Sequence, residues 1–223
     1  MSLTQLLNSP LWLKWTVITL LGFLLSSITG LMGGFLGLKV FVYPLAWVFK
    51  GCEGEGAIGC IILGAALGAA IGLGLTIGIA QWLILRSIVP RSQWWILTSV
   101  LGWCGIFFSL TVMVYVTTPA PGSPGFGQPL IAQLPLAGRA IAPVILAGAL
   151  MGLFQWLILR SSLRQSWWWI PTHAFMMLLA GLGVYLQEEN ISGLPTMGVF
   201  IVIFSLIYAV LSGSLLHWLV QRK

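Results

Sequence analysis

The sequence predicts an all-α integral membrane protein of six transmembrane helices, arranged as three repeated helical hairpins with both termini cytoplasmic. Three observations carry that expectation: a near absence of charge, a one-sided distribution of the charges that remain, and a heptapeptide that occurs twice. Of 223 residues only 6% are charged, where about 25% is usual for a soluble domain, and the mean hydropathy is +1.03. Several uncharged runs reach the roughly 18–20 residues that cross a hydrocarbon core.

Taken in order, apolar length places spans near 15–37, 57–84, 95–116, 140–159, 168–186 and 197–219. Between the first two, KVFVYPLAWVFK (39–50) is interrupted by Pro44 and is too short to cross again, so it reads as an interfacial segment. The 117–136 loop carries five prolines and three glycines, a composition that opposes regular structure. Residues 1–34 could be read as a signal peptide. The first span is longer than the apolar region of such a peptide, and the repeat below needs it.

Orientation follows from Lys and Arg, which are retained on the cytoplasmic side. The N-terminus, the loops after spans 2 and 4 and the C-terminus hold Lys14, Arg86, Arg91, Arg160, Arg164, Arg222 and Lys223 and no acidic residue. The other side holds Lys39, Lys50 and Arg139 with all four carboxylates, Glu53, Glu55, Glu188 and Glu189. Cys52 and Cys60 both fall on that outer side, where a disulfide is chemically allowed. They stand equally as two unpaired small residues.

The repeat is an identity of seven: QWLILRS at 81–87 and again at 155–161. At the same spacing Trp94, Trp95 and Ile96 answer Trp168, Trp169 and Ile170, and Gly74 and Gly78 answer Gly148 and Gly152. A decayed copy, HWLVQR at 217–222, ends the chain, and Trp12 and Trp15 open span 1 as the paired tryptophans open spans 3 and 5. The single membrane domain therefore parses into hairpins at about 11–86, 91–160 and 165–223. Such repeats bury their small-residue faces against neighbours, in a threefold bundle or an open arc.

Physical roles can be read onto these residues. Trp82, Trp156 and Trp218 with Arg86, Arg160 and Arg222 suit the membrane interface, the ring at headgroup level and the cation just outside it. Gly64, Gly68 and Gly72 recur every four residues in span 2, and Gly22, Ser26, Gly30 and Gly34 do so in span 1. This spacing lets helix backbones approach closely in lipid.

These features resemble uncharacterised multi-spanning bacterial membrane proteins, mainly cyanobacterial, in which a Gly-rich helix ends in a repeated QWLxLR followed by paired Trp. The likeness covers residues 70–180 best. It implies the hairpin architecture and no particular activity.

Candidate chemistry is sparse. There is no Asp, and two His and three Cys are the only other usual metal ligands besides Glu, so no metal site and no nucleophile–base pair is expected and the chain is not read as an enzyme. Gln81, Gln155 and His217 hold the same place in the three copies. They form either a polar ring facing a ligand headgroup or hydrogen bonds that tie the repeats together. His173 is a candidate ligand for a porphyrin-type pigment or a metal, or a hydrogen-bonded packing residue. The outer carboxylates read as solvated loop groups. Basic residues scattered over four segments do not suggest nucleic acid.

The cofactor is therefore undetermined, with lipid or a porphyrin-type pigment as candidates. The expected partners are membrane lipids and other membrane-protein subunits, in a plasma or thylakoid-type membrane. The function expected is that of a non-catalytic scaffold or accessory subunit. A small transport component for a neutral or hydrophobic solute is the alternative, and the lack of intramembrane charge argues against ion coupling.

Overall fold

The computed structural model describes residues 10–48, 56–117, 136–190 and 194–222. Among them the chain forms six α-helices, α1 (Leu11–Val48), α2 (Gly56–Leu85), α3 (Trp94–Thr117), α4 (Leu136–Leu159), α5 (Trp169–Asn190) and α6 (Leu194–Gln221), with a 3-10 turn at Ser166–Trp168 leading into α5. Long apolar runs have little alternative, since lipid offers no partner to an unpaired peptide group and a helix satisfies its own. Four stretches are long and apolar enough to cross a membrane: Leu11–Phe41, Cys60–Leu85, Ile141–Leu159 and Val199–Gln221. The protein is thus an all-α, multi-pass membrane protein.

Of the six crossings expected, four meet the length and hydropathy of a span, and α3 adds the apolar stretch Trp94–Ser109 among the residues whose side chains are described. Segment 39–50 was expected to be a separate interfacial segment; up to Val48 it instead continues α1, through Pro44, as one helix of 38 residues. Proline removes only one ladder hydrogen bond near the end of a helix. At about 1.5 Å per residue α1 is longer than the roughly 30 Å hydrocarbon core.

Each helix packs against the next in chain order, and α6 packs against α1, so the six make a ring. At one end of it a buried cluster gathers Trp15, Trp95 and Trp169 from the starts of α1, α3 and α5 with Leu85, Leu159 and Leu219 from the ends of α2, α4 and α6. The turns joining α2 to α3 and α4 to α5 match in detail. Among the described residues Arg91 and Gln165 are the two non-glycine residues with positive φ, at 62° and 63°, and Val89 and Leu163 each donate N–H to the carbonyl of Leu85 or Leu159 at 2.8 Å.

α1 and α2 approach backbone to backbone. A Cβ on Gly68 would run into the Gly33 carbonyl oxygen, one on Gly37 into that of Gly64, and one on Gly72 into that of Thr29. The closest approach on α1 is thus made by Gly33 and Gly37; of the expected stripe, an added Cβ would lie 3.1 Å from Ala80 Cβ at Gly22 and no closer than 3.5 Å and 3.6 Å to any neighbour at Gly30 and Gly34. A one-residue step turns a helix by about 100°, so a four-residue interval identifies a stripe without fixing which of two adjacent stripes is used. Thr29 and Thr76 close the pair with a hydroxyl hydrogen bond of 2.7 Å.

Candidate functional site

Two features stand out, a layered polar core and an apolar cavity beyond it. The core begins with three tryptophans that meet edge to face. The rings of Trp15 and Trp95 are 6.1 Å apart, those of Trp15 and Trp169 6.1 Å, and those of Trp95 and Trp169 5.7 Å. This is the favoured arrangement of aromatic quadrupoles. All three are fully buried, so each indole N–H needs an acceptor inside the protein.

The helix behind each Trp supplies one. Trp95 Nε1 donates to Gln81 Oε1 at 2.9 Å and Trp169 Nε1 to Gln155 Oε1 at 2.7 Å, both across a separation of 14 residues. Each glutamine then turns its amide nitrogen to a hydroxyl four residues after another Trp. Gln81 Nε2 donates to Thr19 Oγ1 at 3.5 Å, and Gln155 Nε2 to Ser99 Oγ at 3.4 Å. One glutamine thereby bridges three helices.

At the third joint two residues share this work. Trp15 Nε1 donates to Ser212 Oγ at 2.9 Å, and the group four residues after Trp169, His173, is held by Tyr208. The Nδ1 of His173 lies 3.0 Å from the Trp169 carbonyl, which only accepts, so Nδ1 carries the proton. Nε2 therefore accepts from the Tyr208 hydroxyl at 2.9 Å.

The predicted residues divide accordingly. Gln81 and Gln155 are fully buried and hydrogen-bond across helix boundaries. His217 does not join them; it is half-buried and pairs with Gln221 on its own helix at 3.0 Å. The buried face of α6 runs through Ser212, Leu216 and Leu219, which turns His217 away. Both His217→Gln and His217→Leu should then leave thermal stability in detergent within about 0.5 kcal/mol of wild type. Ser212→Ala should cost about 1–3 kcal/mol, because it leaves the Trp15 N–H buried without a partner.

His173 was the candidate pigment or metal ligand, and both of its ring nitrogens are taken, which leaves no lone pair for a ligand. Among the described residues no group of three metal-ligating side chains occurs. Cys60 is disulfide-bonded and Cys104 is a free thiol; Cys52, Glu53 and Glu55 lie outside the described residues. Arg86, Arg160 and Arg222 stack over Trp82, Trp156 and Trp218 at 5.5, 5.4 and 4.6 Å, a ring of cation–π pairs at one end of the bundle. Gly148 and Gly152 seat α4 on α5, where a Cβ would meet Met177 and the Ile170 backbone.

Sequence reasoning missed the spacing along α1, α3 and α5 and, apart from His173, the residues that lie on it. Four residues after each core Trp comes a buried polar group, Thr19, Ser99 or His173, and eight after it Phe23, Trp103 or Met177. The signal was present, a polar residue at one helical turn from three aligned tryptophans.

Phe23, Trp103 and Met177 border a cavity of about 770 Å³ in the half of the bundle away from Arg86, Arg160 and Arg222, lined by residues of all six helices. Among the described residues the lining holds no charged residue. Two wall residues, Leu31 and Phe35, are themselves 70% and 71% exposed, as is Ile201 to a lesser degree, so among the described residues the cavity opens sideways between α1 and α6. Trp103 Nε1 is buried there without any hydrogen-bond partner, and it is the one such side-chain atom among the described residues.

Set beside known proteins, the chain matches no family model, no characterised protein and no solved structure.

Proposed function

We propose that the protein is a non-catalytic scaffold or accessory subunit of a larger membrane complex, and that it keeps one lipid-like molecule in its lateral cavity. In this reading all six helices cross the membrane as three hairpins with both ends cytoplasmic, in a plasma or thylakoid-type membrane, as in the QWLxLR-bearing proteins that the sequence resembles.

The observation that carries it is a cavity of about 770 Å³, within the roughly 300–1,000 Å³ of small-molecule sites, set above a core packed around Trp15, Trp95 and Trp169. Apolar walls and a sideways mouth suit a hydrophobic guest from the bilayer, and the hydrogen-bonded layers beneath close the way onward. Among the described residues the cavity walls offer serine hydroxyls, an indole ring and hydrocarbon.

The test is to purify the protein from native membrane in mild detergent and to measure co-purifying lipid and protein. Ala180→Phe and Ala66→Phe each place a ring in the cavity, and either should lower bound lipid while the fold persists. Unchanged lipid in both would overturn the reading. A second reading, transport of a neutral solute, is favoured by the cavity opening on one side; it requires solute uptake by vesicles containing the protein alone.

A further inference from the structure

The cavity holds one chemical irregularity. Its three serines are spent as donors on their own helix: Ser26 Oγ donates to the Phe23 carbonyl at 2.7 Å, Ser27 Oγ to that of Leu24 at 2.5 Å, and Ser205 Oγ to that of Ile201 at 2.7 Å. Trp103 is 9% exposed, and its N–H has nothing to bond. The other three buried tryptophans, Trp15, Trp95 and Trp169, each have a partner at 2.7–2.9 Å. Placing an N–H in hydrocarbon without an acceptor is costly, and the fold elsewhere avoids it by supplying serine or glutamine.

Position adds to this. Trp103 lies eight residues after Trp95 on α3, about 12 Å along the axis, at the base of the cavity beside Phe23, with ring centroids 6.2 Å apart. A guest entering between α1 and α6 would reach the Trp103 ring among the deepest residues of the wall. Among the described residues no cation lines the cavity to hold a phosphate or carboxylate, and the lining side chains offer a guest's own hydroxyl or amine only serine lone pairs.

Resting on the lipid-holding reading above, we propose that the guest is a neutral, elongated apolar molecule with a carbonyl or ester oxygen, and that this oxygen accepts a hydrogen bond from Trp103 Nε1. The nitrogen is covered by its surroundings, so the indole tilts toward the cavity as the oxygen arrives. Trp103 is the residue that selects a carbonyl-bearing chain over a plain hydrocarbon.

Methyl palmitate and hexadecane test this directly, since they share a chain and differ in the ester. Native mass spectrometry of the detergent-purified protein, incubated with each at equal mole fraction, reads occupancy. Wild type should favour the ester by about three- to tenfold, the worth of one hydrogen bond. Trp103→Phe, which keeps a ring and removes the N–H, should bind both equally, and Ala180→Phe or Ala66→Phe should lose both. Equal binding of the two probes by wild type, or a preference that survives Trp103→Phe, would overturn the role of Trp103 and leave the cavity reading standing. Binding of neither probe by wild type, or binding untouched by both ring insertions, would overturn the cavity reading itself.

Discussion

Gly68→Leu should leave little folded protein. The side chain would have to occupy the space of the Gly33 carbonyl and the Gly37 Cα, and backbone cannot swing aside as a flexible side chain can. Overpacking usually costs about 1–3 kcal/mol, and with backbone on the opposing face the cost should reach or exceed the top of that range. The comparison is Gly105→Leu, where an added Cβ meets nothing within 4 Å. Folded fraction after extraction and unfolding in graded SDS measures both, and equal loss from the two would mean that the α1–α2 approach does not hold the bundle together.

Trp95 should be the next most sensitive position, and it separates packing from hydrogen bonding. Trp95→Ala empties a fully buried site at the meeting of three rings, for which about 3–5 kcal/mol is usual. Trp95→Phe keeps a ring and removes the N–H that Gln81 accepts at 2.9 Å; interhelical hydrogen bonds in membranes average about 0.6 kcal/mol and reach about 1.7. The alanine change should therefore cost several times the phenylalanine change in thermal unfolding. Near-equal losses would assign the layer's stability to its hydrogen bonds instead of its rings.

The helices were legible because apolar length and cost of burying a peptide group depend on composition alone: α2, expected at 57–84, runs Gly56–Leu85, and α6, expected at 197–219, runs Leu194–Gln221. The glutamines were legible because QWLILRS recurs intact. His217 misled because aligned letters do not fix rotation about the helix axis. In α6 the inward face passes through Ser212 and Leu216, and Tyr208 with Ser212 takes over what one glutamine does elsewhere. The cavity was beyond a one-dimensional pattern, since its walls come from all six helices and no single one announces it.

The joint between α6 and α1 has a consequence for how the chain can be cut. Gly213 faces the Trp12 carbonyl and the Thr16 hydroxyl, Trp15 bonds to Ser212, and Thr16 Oγ1 lies 3.2 Å from the Ala209 carbonyl, with no peptide link spanning this seam. The other two seams, α2 to α3 and α4 to α5, are each crossed by a short turn. If side chains suffice at the seam without a tether, the tethers elsewhere are conveniences of synthesis. Fragments severed between Ser87 and Val89 and produced together should find one another in the bilayer, and a chain re-tied from Gln221 to Leu11 and opened at that point should reach the same fold by a different order of insertion.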